Sequence, residues 1–230
     1  MKTYAIIPAG GKGTRSGFSA PKQYLKFFGK ELLAYTMEIF QENKLVDEII
    51  VAADPAYFNL VSRLKKKYKF SKITGVVKSG KKRQDSVYNA LRSIKPGADD
   101  LVIVHDAARP LLPQGVLTNA VQSAEKKGNA LVCIKAKDTL VKGDQKVKSY
   151  LDRDLIYNVQ TPQIFTYQIL RKAMDKAKKE KFYGTDESML VSKYGEKINI
   201  VEGSFLNFKV TDKTDVEMFR KLISQSKKNN

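Results

Sequence analysis

The segment Pro8-Ala9-Gly10-Gly11-Lys12-Gly13-Thr14-Arg15 combines the two things a polyphosphate ligand needs. Gly10, Gly11 and Gly13 admit positive φ angles and let backbone N–H groups converge on an anion. Lys12, Arg15 and Lys22 add positive charge beside them. Neither of the better-known glycine loops fits. A P-loop needs Gly, four residues and then Gly-Lys-Ser/Thr, and no glycine here precedes such a triplet. A dinucleotide fingerprint needs G-x-G-x-x-G with a later acidic residue, whereas Gly11, Gly13 and Gly17 are spaced G-x-G-x-x-x-G. A second group, His105-Asp106-Ala107-Ala108-Arg109-Pro110, follows the apolar run 101–104. Asp106 suits a metal ion or sugar hydroxyls, and Arg109 suits a phosphate held bidentately. A salt-bridged loop pair would also account for both. His105 alone reads as a satisfied loop histidine, and Cys133, inside an apolar strand, as a small core residue.

Elements able to position these groups are visible in the hydrophobic pattern. Short apolar runs at 4–8, 48–53, 73–77, 101–104 and 130–136 have strand length. Between them Leu32, Leu33, Thr36, Met37 and Phe40 mark one face of a helix, as do Val116, Leu117, Ala120, Val121 and Ala124. The pattern returns at Ile169, Leu170, Ala173, Met174 and Ala177. Such alternation predicts an α/β fold with a mainly parallel sheet covered on both faces. In an open parallel sheet ligands gather beyond the carboxyl ends of the strands, where both chemical segments lie. Residues 137–158 break the rhythm: polar and turn-rich, they read as a protruding hairpin or arm inserted in one domain spanning 1–230.

Composition narrows the class. The chain has 230 residues with 42 Lys and Arg against 24 Asp and Glu, a net charge of +18. That balance admits nucleic acid, an anionic surface or a phosphorylated small substrate. Lysines scattered over helical segments, with no zinc finger or aromatic RNA-binding pattern, favour a solvated surface over a polynucleotide groove. One Cys and one His exclude a disulfide framework and a Cys/His zinc cluster. No apolar run nears the roughly 20 residues of a membrane helix. The start, Met1-Lys2-Thr3 leading straight into an apolar run, leaves no room for a leader, and a cytoplasmic, reduced setting is expected.

Several motifs in order carry a resemblance: Pro8 to Arg15, Pro21-Lys22-Gln23-Tyr24, Arg83-Gln84-Asp85-Ser86-Val87, His105 to Pro110, Thr161-Pro162-Gln163, Thr185-Asp186-Glu187 and Lys209-Val210-Thr211. Together they resemble the 2-C-methyl-D-erythritol 4-phosphate cytidylyltransferases of the non-mevalonate isoprenoid pathway, from first strand to last helix. The resemblance implies a Rossmann-like sheet, a β-arm used for dimerisation, and the substrates CTP and methylerythritol phosphate, with Mg²⁺ or another divalent cation as cofactor. It implies that Arg15, Lys22 and Lys209 act in catalysis. It places Ala9, Gly10, Gly11 and Gly13 around the triphosphate, and Gly80, Lys81 (by its backbone) and Ser86 at the cytidine. Asp106, Arg109 and Thr185 would face the methylerythritol phosphate, with Asp106 at the metal. Thr139, Arg153 and Thr161 would come from the partner subunit of a homodimer. Neither nucleic acid nor membrane enters as a partner. Without the family pattern, Lys209 reads as a surface lysine, and Thr185-Asp186-Glu187 as a helix N-cap with an acidic first turn. Two departures stand out. Gly10 occupies a place where the family commonly has alanine, a change expected to be tolerated. Lys81-Lys82 replaces a usual acidic pair; this is harmless if backbone groups read the base and alters selection if side chains do. A ribitol or other polyol-phosphate cytidylyltransferase is the nearest rival reading, and a basic nucleic-acid-binding domain a distant one.

Overall fold

The computed structural model describes residues 1–11 and 20–228. In chain order its elements are β1 (Thr3–Pro8), the short strands β2 (Lys26–Phe27) and β3 (Lys30–Glu31), α1 (Leu32–Glu42), β4 (Glu48–Ala53), α2 (Phe58–Lys67), β5 (Ile73–Lys78), α3 (Arg83–Ser93) and β6 (Leu101–Val104). There follow α4 (Gln114–Lys127), β7 (Asn129–Lys135), β8 (Leu140–Gly143), β9 (Val147–Leu151), β10 (Tyr157–Thr166), α5 (Tyr167–Lys179), α6 (Glu187–Lys193), β11 (Ile200–Glu202) and α7 (Lys213–Lys228).

Seven strands form one sheet in the order β11-β7-β10-β6-β1-β4-β5. β1 pairs in parallel with β4 and β6, and β4 in parallel with β5. β1, β4 and β6 are buried at nearly every position because both faces are covered, whereas β5, at the sheet's edge, buries only Ile73. Alternation on β1 shows it: Ala5 and Ile7 enter the core with α1, α2 and α4, while Tyr4 and Ile6 enter the core with α3, α5 and α6. The expected helix faces lie inward, with Leu32, Leu33, Thr36, Met37 and Phe40 all buried. A third small core joins Phe27, Leu32 and Val210 to Val216, Phe219 and Ile223 of α7, which seats the chain's end against its beginning. Cys133 is buried, and burial pushes its thiol up to about 11, as befits an inert core residue.

Two features modify the parallel plan. β10 runs antiparallel between β6 and β7, so the sheet is mixed at that edge. Within residues 137–158, β8 and β9 form a two-stranded hairpin of their own. The last two residues of that stretch, Tyr157 and Asn158, already belong to β10 and pair with Lys135 and Ile134. Among the described residues, no helix is long and apolar enough to cross a membrane.

Candidate active site

Because β6, β1, β4 and β5 are neighbours and parallel, their carboxyl ends open on one edge of the sheet. There a cleft of about 690 Å³ is lined by Gly10 and Gly11 after β1, Asp54 after β4, Ser79 to Arg83 after β5, and Asp106 to Ala108 after β6. Lys22, Gln23, Ser86, Lys209 and Thr211 complete its walls.

The start of the glycine segment is pinned from below. The Ala9 N–H donates to Ala52 O at 2.7 Å, continuing the sheet. The buried Gln23 amide donates to both Ala9 O and Gly11 O at 2.7 Å, and the Tyr24 hydroxyl donates to Ala9 O at 2.8 Å. Ala9 therefore lies beneath the cleft and Gly10 and Gly11 at its surface. The β5–α3 turn is equally fixed. Ser86 Oγ accepts from the Gly80 N–H at 3.0 Å and donates to Lys82 O at 3.1 Å. A Cβ on Gly80 would collide with the Asp85 side chain and come within 2.8 Å of the Asp85 carbonyl carbon, so the turn requires glycine. Lys81 is exposed at the cleft rim, and the Lys82 ammonium sits 3.5 Å from the centre of the Tyr183 ring.

Asp106 is ringed by cations. Arg83 Nε donates to Oδ1 at 2.8 Å, while Lys209 Nζ lies 2.8 Å and Arg109 Nε 3.7 Å from Oδ2. Burial alone would push this carboxyl up, but Arg83, Lys209 and Arg109 overcome it and hold Asp106 well below the usual carboxylate range. Arg83 also grips both oxygens of the fully buried Glu187 at 2.7 Å. Behind Asp106, the Thr161 hydroxyl accepts its backbone N–H at 3.1 Å and lies 3.2 Å from His105 Nδ1. His105 Nε2 faces Arg109 O at 3.1 Å. A carbonyl only accepts, so this network assigns the ring proton to Nε2 and makes Thr161 the donor to Nδ1. Burial brings the His105 pKa down to about 4. His105 is thus a satisfied, neutral histidine.

The expected site residues divide by location. Gly10, Gly11, Lys22, Gly80, Lys81, Ser86, Asp106 and Lys209 line the cleft. Arg109 and Thr161 stand behind Asp106; Arg109 also donates to Asn207 O at 2.6 Å, and Thr161 spends its hydroxyl within its own chain. Thr139 and Arg153 lie exposed on the arm and Thr185 is exposed before α6, none of them on the cleft wall. Asp186 caps α6, accepting from the Met189 N–H at 2.8 Å. Gly13 and Arg15, like Lys12, fall outside the described residues. Arg83 and Glu187 were present in the motifs but carried no assigned part; separated by 104 residues, they have no spacing signal. Asp54 and Ser79 are cleft residues that no motif marked, and Thr211 stood in a motif without an assigned part.

Two acidic residues, Asp54 and Asp106, line the cleft, and no three His, Cys, Asp or Glu among the described residues come together as a metal cage. This donor set fits a cation that arrives on phosphates and meets one or two carboxylates, the usual habit of Mg²⁺.

Comparison with known proteins agrees with this architecture. The family described as IspD, 2-C-methyl-D-erythritol 4-phosphate cytidylyltransferase, matches residues 3–225. A protein of that name from Lysinibacillus sphaericus is 36% identical over 217 residues, covering 94% of this chain and 93% of that one. Another from Syntrophotalea carbinolica is 37% identical, covering 94% of each. The crystal structure of the Francisella tularensis 2-C-methyl-D-erythritol 4-phosphate cytidylyltransferase superposes with a TM-score of 0.81 at 33% identity, covering 95% of this chain and 98% of that one. The 4-diphosphocytidyl-2C-methyl-D-erythritol synthase of Anaerococcus prevotii gives 0.85 at 25% identity, covering 97% and 96%.

Proposed function

The chain belongs to the 2-C-methyl-D-erythritol 4-phosphate cytidylyltransferase family, and on that premise we propose how its cleft performs the family reaction. It transfers the cytidylyl group of CTP to 2-C-methyl-D-erythritol 4-phosphate, giving 4-diphosphocytidyl-2-C-methyl-D-erythritol and pyrophosphate. The observation that carries the reading is the gathering of Lys22, Arg83, Lys209 and Asp106 where four parallel strand ends meet the glycine segment.

The nucleophile is an oxygen of the methylerythritol phosphate, largely dianionic near neutrality because the second phosphate pKa is about 6. It attacks the α-phosphorus of CTP in line, and the bond to the β-phosphate bridging oxygen breaks to release pyrophosphate. No general base is required. That suits a site whose histidine is buried and hydrogen-bonded at both nitrogens. The protein must instead hold two anions together and neutralise the charge building on the α-phosphate. Arg15 and Lys22 do this from the glycine side, and Lys209 from the Asp106 side. Gly10, Gly11 and Gly13 carry the triphosphate, and the Gly80-Lys81 turn, held by Ser86, meets the cytidine. Asp106 faces the second substrate, with Arg109 behind it. A divalent cation would shield the triphosphate, with Asp106 as the carboxylate to meet it. Lys209 and Arg83 keep that carboxylate ionised throughout.

The arm supports a homodimer. A two-stranded hairpin is marginal alone, and this one exposes Val141, Val147 and Tyr150, with Leu155 close by. A two-fold partner would cover these side chains and let Thr139 and Arg153 reach a phosphate in the opposite cleft. The test is pyrophosphate release with each nucleoside triphosphate crossed against methylerythritol, ribitol and glycerol phosphates. Turnover confined to CTP with methylerythritol phosphate is expected; faster turnover of ribitol phosphate would give the substrate to the polyol reading.

A further inference from the structure

Ser79 follows β5 on the floor of the cleft, its N–H donating to Ala53 O at 2.8 Å. Two observations single it out. A Cβ placed on Gly10 would overlap the Ser79 Cβ and lie 2.5 Å from its Oγ. A clash with a Cβ is not relieved by rotating a side chain, so backbone would have to move. Residue 10 is therefore glycine because Ser79 already fills the space above it. The second observation concerns hydroxyls. Ser86 has committed its one proton to Lys82 O and also accepts from Gly80. The Ser79 hydroxyl takes no partner among the described residues, although it lies on the cleft wall against the glycine segment.

We propose that Ser79 is a nucleotide-contacting residue of this cleft: its side chain takes the space beside Gly10, and its hydroxyl donates to the nucleotide lying on the glycine segment. The proposal rests on the cleft being the CTP site. A donor with no protein partner breaks no protein hydrogen bond when it turns to the ligand and exchanges only water for it, a modest net gain.

The experiment is calorimetric titration of CTP with Mg²⁺ into wild type, Ser79→Ala, Ser79→Gly, Gly10→Ala and the double variant Gly10→Ala/Ser79→Gly. Ser79→Ala keeps the methylene and loses the hydroxyl, so CTP should bind about five- to tenfold more weakly, with the KM for methylerythritol phosphate unchanged. Gly10→Ala should weaken CTP more than about tenfold, and the double variant should return to about the level of Ser79→Gly. If Gly10→Ala unfolds while the double variant folds, the same packing has been read through stability. Wild-type affinity in Ser79→Ala would overturn the contact. Wild-type affinity in Gly10→Ala, or a double variant no better than Gly10→Ala, would overturn the packing. A wild-type protein that binds no CTP would overturn the functional reading and this one with it; the variant ratios overturn this one alone.

Discussion

Asp106 holds its charge in a nearly buried place because three cations surround it, and two of them have separate work. Lys209 reaches it from a late loop and faces the cleft; Arg83 lies mostly inside, bridging Asp106 to Glu187. Lys22→Ala and Lys209→Ala should therefore each lower kcat by about 10²–10³ with little change in the unfolding midpoint, as for other fixed charges aimed at a transition state. Near-normal turnover in a folded variant would remove that lysine from the mechanism. Arg83→Met should act oppositely on stability. It strands the buried Glu187 and takes one of three cations from Asp106, and denaturant unfolding should show a loss of about 3–5 kcal/mol. His105 gives a pH signature. Its folded pKa of about 4 lies below the usual 6.5, so its contribution is fully present above pH 6.5 and is lost as pH falls toward 4. The size is about 3 kcal/mol. As the chain's one histidine, it should account for the fall between pH 6.5 and 5; unfolding of His105→Gln should be nearly flat there. That His105 is a satisfied histidine was readable from the sequence, its neutrality was not, and neither was the Arg83–Glu187 pair, since only folding brings α3 and α6 together.

At the scale of elements, apolar runs announced themselves and polar strands did not. β1, β4 and β6 are almost wholly apolar and the edge strand β5 keeps a short apolar run, so their boundaries were read within a residue or two. β10 was missed because Gln160, Thr161 and Gln163 look like loop residues. They are buried with Gln160 Oε1 accepting from Asn207, Thr161 Oγ1 from the Asp106 N–H and Gln163 Oε1 from the Ser188 N–H. α2 was read only as a helix-like run of lysines, without bounds, because just Val61 and Leu64 of its ten residues are buried. The arm was legible as an interruption, and its use is the prediction that belongs here. If Arg153 serves the partner's cleft, mixing inactive Lys22→Ala with inactive Arg153→Ala puts both lesions in one site of each mixed dimer. Subunit exchange should then restore roughly a quarter of wild-type activity, since about half the dimers carry one intact site. No recovery, with exchange shown separately, would place Arg153 in its own chain's site.

Across the whole molecule, a basic chain has put its working charge at one edge of a mixed sheet and left the rest on helix surfaces, as in Lys65, Lys66 and Lys67 at the end of α2. The sheet's strand order makes the site, the glycine segment and Asp106 being brought together only because β1 and β6 are parallel neighbours. The claim that this edge joins two phosphates is tested most directly by following CTP and methylerythritol phosphate with Mg²⁺ by phosphorus NMR. The account predicts that the methylerythritol monoester signal disappears as paired diphosphate signals and one equivalent of pyrophosphate appear, and that a chelator stops the conversion. A monoester signal left unchanged while CTP is consumed would contradict it.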